Sequence, residues 1–264
     1  AAPACRKAGT SGGRRMSWRV LLLALLVLAG PAWAELPAER RVVAHLAEPN
    51  YPLPKVTRAL AEKKLNILVV GAGSSQLPGA NGAKNAYPAR LQQALIEELK
   101  GVEVKVATDI KASRTAAEMV KALPADLSAA KPALLVWQTG TTDAMRAVDP
   151  DQFSQALDQG INIAHGAGAD VVLVNAQYSP RTESMIALST YSEDMRWVAL
   201  QQEVPLFDRF SIMRLWSDLG TFDLYSATKK LDIAERVHDC IGRLLAELVI
   251  TAAKPEEPSV NGSR

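Results

Sequence analysis

A turn rich in glycine and serine follows the first long apolar run of the chain. The run at 67–70 ends in Gly-Ala-Gly at 71–73, and Ser74 and Ser75 come next. A serine hydroxyl at the carboxyl end of a buried strand can attack a carbonyl carbon, whereas glycines at such a place can let the backbone approach a phosphate. The turn is therefore open to three interpretations: a nucleophile, a nucleotide site, or a turn without chemistry.

The nucleotide interpretation meets two departures. A dinucleotide fingerprint needs a third glycine and a helix that begins at the phosphate. Gln76 stands at the third-glycine position and loop-forming residues continue to Ala86, although Asp109 after the second strand imitates the ribose-binding acid. The Gly-Lys-Ser/Thr ending of a phosphate loop is also missing from the turn. The departures favour Ser75 as a nucleophile, or a structural turn.

A serine nucleophile needs a base, and the chain has three histidines. His45 precedes the first strand, and His165 ends a helix at the opposite edge of the predicted sheet. His238 lies at the start of the last helix, three residues after Glu235. If that helix begins near His238, Glu235 can orient the imidazole as a base. If it begins after an N-cap at Asp232, His238 is a partly buried helix residue.

Alternating apolar runs and helical stretches must position these side chains. Short continuous apolar runs are typical of buried strands, and spacing of 3.6 residues is typical of helices. Their alternation predicts a parallel sheet covered by helices on both faces, with chemistry at the carboxyl ends of the strands. The predicted strands are 67–70, 102–106, 133–137, 171–174 and 204–207, and the predicted helices are 87–100, 115–123, 151–165, 184–202 and 233–249.

The serine turn resembles the first block of the SGNH (GDSL) hydrolases, Gly-Asp-Ser-Leu-Thr-x-Gly. Residues 73–79 read Gly-Ser-Ser-Gln-Leu-Pro-Gly, which places Ser75 on the nucleophile and Ser74 on the aspartate. The third block, Gly-x-Asn-Asp, is similar to Gly-Thr-Thr-Asp at 140–143. Thr142 then stands at the asparagine that donates to the oxyanion, and Asp143 is equally suited to cap a helix.

Two further blocks depart from the family pattern. Ser113 stands at the glycine of the second block, where a backbone N–H binds the oxyanion, and it is equally suited to cap a helix. In the Asp-x-x-His block, Asp223 is followed by Ser226 at the histidine position. Carried over residue by residue, the resemblance implies Ser75 as nucleophile, Asp223 as the acid, and the N–H groups of Ser75 and Ser113 with the Thr142 hydroxyl as oxyanion donors. Since Ser226 cannot act as a base, His238 is the candidate substitute, oriented by Glu235 or Asp223.

The resemblance covers about residues 65–250 and implies a flavodoxin-like α/β/α sandwich. Its five-stranded parallel sheet would have the order 2-1-3-4-5. The implied activity is hydrolysis of acyl or acetyl esters of small molecules or glycans, with no cofactor. Because the asparagine, the histidine and the second-block glycine are replaced, the alternative is a non-catalytic domain that binds a glycan or a protein in the periplasm. On the helix register from Asp232, Ser75 and His238 share one edge of the sheet without a direct hydrogen bond.

A segment near the start of the chain indicates export. Residues 16–34 have the arginine, the apolar core and the Ala-x-Ala ending of a signal peptide, so we expect cleavage after Ala34 and a periplasmic or secreted protein without a membrane span. We expect residues 1–15 to be an upstream extension from a misread start, 35–64 a lead-in segment and 251–264 a disordered tail.

The composition argues against two classes of partner. The formal net charge is +2 and forms no basic stripe, so no nucleic acid partner is predicted. No cluster of cysteine and histidine has the spacing of metal ligands, so no metal is predicted.

Overall fold

Five parallel strands form the centre of the fold in the computed structural model, which describes residues 38–225 and 231–254. The strand order is β2-β1-β3-β4-β5, and every neighbouring pair is parallel. This confirms the flavodoxin-like sandwich and the order 2-1-3-4-5. The strands are β1 Lys64–Gly71, β2 Glu103–Ile110, β3 Leu134–Gln138, β4 Asp170–Val174 and β5 Leu206–Phe207.

Helices cover both faces of this sheet. Right-handed crossovers place the helix after β1 on one face and those after β2, β3 and β4 on the other. The last helix returns to the first face, where α11 packs on α4, while α7 packs on both α5 and α9. The helices are α1 Ala38–Arg41, α2 Pro54–Ala61, α3 Gly82–Asn85, α4 Tyr87–Glu98, α5 Ala116–Ala130, α6 Thr141–Met145, α7 Pro150–Gly166, α8 Pro180–Glu183, α9 Leu188–Gln201, α10 Arg209–Asp218 and α11 Leu231–Ala252.

The core explains why the strands read as continuous apolar runs. Every residue of β3 and β4 is buried, because helices lie over both of their faces. The edge strand β2 alternates between buried and exposed positions at its start instead. The register aligns Val70 with Trp137 and Gln138 with Val174, so β1, β3 and β4 end at the same edge. Side chains that follow these three strands therefore meet.

The last helix differs from the sequence prediction at its start. It already includes Leu231, so Asp232 lies in its first turn and is not the N-cap. His238 is consequently a buried helix residue, as the register from Asp232 predicted. The helix continues to Ala252, past its predicted end at 249.

Several predicted features lie outside the described residues. They are the extension 1–15, the signal peptide 16–34 with its cleavage site after Ala34, Ser226, and the tail from 255 onward. The described part of the lead-in segment contains α1 and α2. In residues 38–225 and 231–254, no helix has both the length and the apolar character needed to cross a bilayer.

Candidate functional site

The serine turn is a single 3-10 turn, Gly73–Ser75, directly after β1. The Ser75 N–H donates to the Ala72 carbonyl at 2.9 Å, and its side chain is fully buried. The Ser75 Oγ lies 2.9 Å from Gln138 Oε1 and 3.0 Å from the Tyr87 hydroxyl oxygen. The hydroxyl that the sequence assigned as nucleophile is thus held between two side chains in the interior.

Gln138 is the acceptor that fixes this turn. It ends β3, next to the end of β1, and its side chain is completely buried. Its Oε1 accepts hydrogen bonds from the Ala72 N–H at 3.1 Å, the Ser74 hydroxyl at 3.2 Å and the Ser75 hydroxyl at 2.9 Å. One amide oxygen therefore sets both the backbone and the side chains of the turn.

Gly71 provides the space into which Ser75 turns. A Cβ added at Gly71 would lie 2.4 Å from Ser75 Oγ and 2.9 Å from its Cβ. Such distances are far inside van der Waals contact. The glycine at the end of β1 is thus required by the packing of Ser75, and the turn needs no phosphate to explain it.

His238 lies at the same edge but its ring is engaged by backbone. The Tyr87 N–H donates to His238 Nδ1 at 3.0 Å. Because Nδ1 accepts this hydrogen bond, the neutral ring carries its own hydrogen on Nε2. Burial and the nearby Arg209 guanidinium lower the pKa of His238 to about 3. In this arrangement the imidazole is a neutral donor through Nε2, and its basic nitrogen is occupied.

One of the two carboxylates proposed to orient this base is bonded to another side chain. Glu235 accepts a hydrogen bond from the Asn85 side chain at 2.8 Å, which ties α11 to α3. Asp223 is exposed to solvent. The structure thus brings Ser75 and His238 to one edge, with Tyr87 between them, and directs Glu235 to a different partner.

The predicted oxyanion donors lie in three different elements of the structure. Ser113 is exposed and has φ of 62°, a left-handed conformation that suits the glycine of the family block. Its carbonyl accepts from Arg146 at 2.9 Å. Thr142 is buried within α6. The third expected donor, the Ser75 N–H, is already bonded within the turn.

Asp143 has the structural role that the sequence left open. It is buried, and its carboxylate accepts from the Ala116 N–H at 3.0 Å and the Thr139 hydroxyl at 3.4 Å. Ala116 is the first residue of α5, so Asp143 satisfies a free donor at that helix start. Burial raises the pKa of Asp143. The side chain joins α6 to α5.

A cavity of about 350 Å³ opens between the serine turn and α11. Its position at the carboxyl edge of β1 and β4 is where parallel sheets usually bind ligands. Its lining includes both apolar and polar side chains, a combination that suits a ligand with a polar head and a hydrocarbon part. The apolar members, here called the apolar wall, include Leu77, Pro78, Met213, Leu224 and Val237, and the polar members, here called the polar wall, include Ser74, Gln76, Gln177 and His238.

The sequence match to known families decides the relationship. Residues 40–255 match the model of the Non-GDSL lipase-like family. The chain belongs to this family. Together with the structural matches below, this confirms the resemblance to SGNH (GDSL) hydrolases.

Proteins with similar sequences or structures are esterases by name. Esterase TesA of Pseudomonas aeruginosa is 33% identical over 114 residues, which cover 43% of this chain and 55% of the esterase. The chain thus spans about half the length of this curated relative. Two solved structures are 17% and 16% identical, with TM-scores of 0.52 and 0.51. At such identities they support the fold alone.

The first of these structures is a catalytic mutant of Axe2, an acetylxylan esterase from Geobacillus stearothermophilus; it matches over 72% of this chain and 94% of its own. The second is psychrotrophic esterase EstA from Pseudoalteromonas sp., which matches over 69% of this chain and 98% of its own.

This member of the Non-GDSL lipase-like family has a buried cation that the sequence did not single out. Arg209, the first residue of α10, is fully buried behind the polar wall of the cavity. Its Nη2 donates to the Ser74 carbonyl at 3.1 Å and to Gln177 Oε1 at 2.7 Å. Its guanidinium carbon lies 5.5 Å from the centre of the Tyr87 ring. Burial lowers the pKa of Arg209 to about 10, so the group stays charged at neutral pH.

A metal site is not found among the described residues of this family member. Within residues 38–225 and 231–254, no group of three His, Cys, Asp or Glu side chains is arranged to hold an ion.

Proposed function

We propose that this protein is an esterase-type hydrolase of low turnover, which takes the acyl part of an ester into the cavity beside His238. The observation that carries the proposal is the cavity itself, because Ser74 of the serine turn and His238 both line it. Membership of a lipase-like family and the partial similarity to Esterase TesA support the same reaction class.

Ser75 is the proposed nucleophile. Its oxygen would attack the ester carbonyl, its proton would pass to His238 Nδ1, and the alcohol would leave with that proton. Water would then release the acid from the acyl-enzyme. We propose the Ser113 N–H and the Thr142 hydroxyl as oxyanion donors, and Glu235 or Asp223 as the acid that steadies the imidazolium.

Low turnover follows from the hydrogen bonds that this route must break. The Ser75 hydroxyl has to leave Gln138 and Tyr87, and His238 Nδ1 has to be released by the Tyr87 N–H. A histidine with a pKa of about 3 is also a weak base toward a serine hydroxyl. In the described geometry the proposed nucleophile and base are both hydrogen-bonded to other groups, so we expect slow hydrolysis.

We also propose that the protein acts outside the cytoplasm, after export through the signal peptide at 16–34. Mass spectrometry of the secreted or periplasmic protein should find Glu35 as its first residue. A protein that retains residues 16–34 after expression would contradict this part.

Hydrolysis of p-nitrophenyl acetate and p-nitrophenyl octanoate by the mature chain tests the activity. Ser75→Ala should reduce the rate above background by about tenfold or more. Ser192→Ala is the matched control, because Ser192 is also a buried serine but lies on α9. Equal rates for the wild type and Ser75→Ala would remove Ser75 from the mechanism.

A non-catalytic domain is the second candidate, and one observation favours it. Tyr87 occupies both reactive groups, through its hydroxyl toward Ser75 and its N–H toward His238. In that case the cavity would bind a glycan or a protein segment without cleaving it. A wild type that shows no hydrolysis above buffer and no labelling by a fluorophosphonate would select this candidate.

A further inference from the structure

The guanidinium of Arg209 is a buried charge without an anionic partner. In the described parts of the chain no carboxylate forms an ion pair with it, and it donates to the Ser74 carbonyl and the Gln177 amide oxygen. Its Nε and Nη1 are buried and have no acceptor among residues 38–225 and 231–254. A buried cation with unmet donors is costly unless an anion is supplied, so this site is incomplete as it stands.

The carboxylate next to Arg209 in sequence does not supply that anion. Asp208 accepts from Arg196 through Oδ2 at 2.7 Å and from Asn175 through Oδ1 at 2.7 Å. It also accepts from the Ser211 N–H at 3.0 Å. These partners lower the pKa of Asp208 against the effect of its burial. Asp208 is therefore fully committed to its own network.

Gln177 separates the guanidinium from the cavity. Its side chain is half-buried, lines the cavity, and places Oε1 2.7 Å from Arg209 Nη2. An amide oxygen in that position occupies the place that a carboxylate oxygen would take in an arginine pair. Gln177 is therefore a side chain that contacts both the cation and the cavity.

His238 adds a second donor on the same wall. Its Nδ1 is taken by the Tyr87 N–H, so Nε2 carries the hydrogen that remains for a ligand. The same cavity is also lined by apolar side chains that include Leu77, Met213 and Val237. The cavity thus has polar and apolar lining residues, and the Arg209 cation is bonded to one of the polar ones, Gln177.

We propose that this cavity binds a carboxylate that carries a hydrocarbon chain, with Gln177 turned aside, the head group on Arg209 and His238, and the chain on the apolar wall. This carboxylate site lies in the same cavity as the proposed function, where the acid part of the ester would be the part that the cavity binds. It does not depend on hydrolysis, because a free acid can bind in either case.

Isothermal titration calorimetry of the mature chain with octanoate and with octanamide tests the proposal. The two probes have the same chain length and differ in charge. Octanoate should bind at least about tenfold more tightly at low ionic strength. Failure of octanoate to bind at millimolar concentration, or equal affinity for the two probes, would overturn the proposal.

Gln177→Glu provides a variant that keeps Arg209 and its packing. The new carboxylate would pair with the guanidinium, so octanoate affinity should fall about tenfold or more and the melting temperature should rise. Gln152→Glu is the matched control, because it adds the same charge at an exposed site on α7, outside the cavity. Its effect should stay below about threefold. Unchanged octanoate affinity in Gln177→Glu would contradict the assignment.

The two proposals can fail separately. Octanoate binding without p-nitrophenyl ester hydrolysis would remove the enzymatic activity and leave the carboxylate site. Ester hydrolysis with no preference for octanoate over octanamide would leave the activity and remove the carboxylate site.

Discussion

Tyr87 connects Ser75 to His238 through two different groups of one residue. Its hydroxyl lies 3.0 Å from Ser75 Oγ, and its backbone N–H lies 3.0 Å from His238 Nδ1. The tyrosine is buried, and burial raises the pKa of its phenol, so it stays neutral. The relationship makes the start of α4 the element on which both candidate catalytic groups depend.

The neutral state of His238 predicts an acid-labile fold. Its folded pKa is about 3, below the ordinary 6.5, so the unfolded chain binds more protons between these values. Stability from this group is present above pH 6.5 and is lost as the pH falls toward 3. The loss in the free energy of unfolding, relative to pH above 6.5, amounts to roughly 3 kcal/mol at pH 4.

Urea unfolding between pH 8 and pH 4 measures this loss. His238→Asn keeps an acceptor for the Tyr87 N–H and cannot titrate, so its free energy of unfolding should fall less with pH than that of the wild type. His45→Asn is the control, since His45 is exposed in the folded chain. Parallel curves for the wild type and His238→Asn would refute the assignment.

Gln138→Leu should destabilise the protein strongly. The variant leaves the Ala72 N–H and the hydroxyls of Ser74 and Ser75 without their shared acceptor. Each unsatisfied buried donor costs about 1–3 kcal/mol, so we expect a loss on the order of 3 kcal/mol in chemical unfolding. Gln152→Leu, at an exposed site on α7, should change stability by less than about 0.5 kcal/mol.

Gly71→Ala should be destabilising for a steric reason. The new Cβ would meet Ser75 Oγ at 2.4 Å, so the serine or β1 has to move, at a cost of about 1–3 kcal/mol. A second change, Ser75→Gly, should recover part of the loss. Gly166→Ala, in α7 with no atom within 4 Å of the added Cβ, should be neutral or stabilising. Equal melting temperatures for Gly71→Ala and Gly166→Ala would disprove the packing argument.

Labelling by a fluorophosphonate should be slow in the wild type and faster in Tyr87→Phe. The variant removes one of the two groups that hold the Ser75 hydroxyl and keeps the backbone N–H that occupies His238. Tyr191→Phe is the control, because that hydroxyl bonds to the Val148 carbonyl away from the turn. Rapid labelling of wild-type Ser75 that disappears in His238→Ala would establish a working triad and contradict this expectation.

Hydrophobic patterning was sufficient to predict the sheet. The runs that became β3 and β4 are buried on both faces, so an apolar side chain at every position carried the signal. The helix boundaries were less accurate: α5 extends to Ala130, past Pro124, whereas the prediction stopped at 123. A proline inside a helix costs stability, and packing of α5 against α7 outweighs that local preference here.

For the candidate site, the sequence predicted which residues lie at the carboxyl edge of the sheet but not how their side chains are oriented. The prediction that Ser75 and His238 lie at one edge followed from topology. The direction of a side chain does not follow from topology, and Ser75 turns inward because Gly71 leaves room and Gln138 offers an acceptor. No sequence pattern indicated Arg209, since a single arginine after a short strand is common. Its distinguishing feature is its complete burial, which only the structure shows.

The left-handed backbone at Ser113 has a consequence for engineering. Its φ of 62° is a conformation that glycine adopts without the Cβ strain that serine bears, so Ser113→Gly should be accepted with no rearrangement of the loop. A glycine at this position would therefore find the surrounding loop already in a backbone conformation that glycine favours.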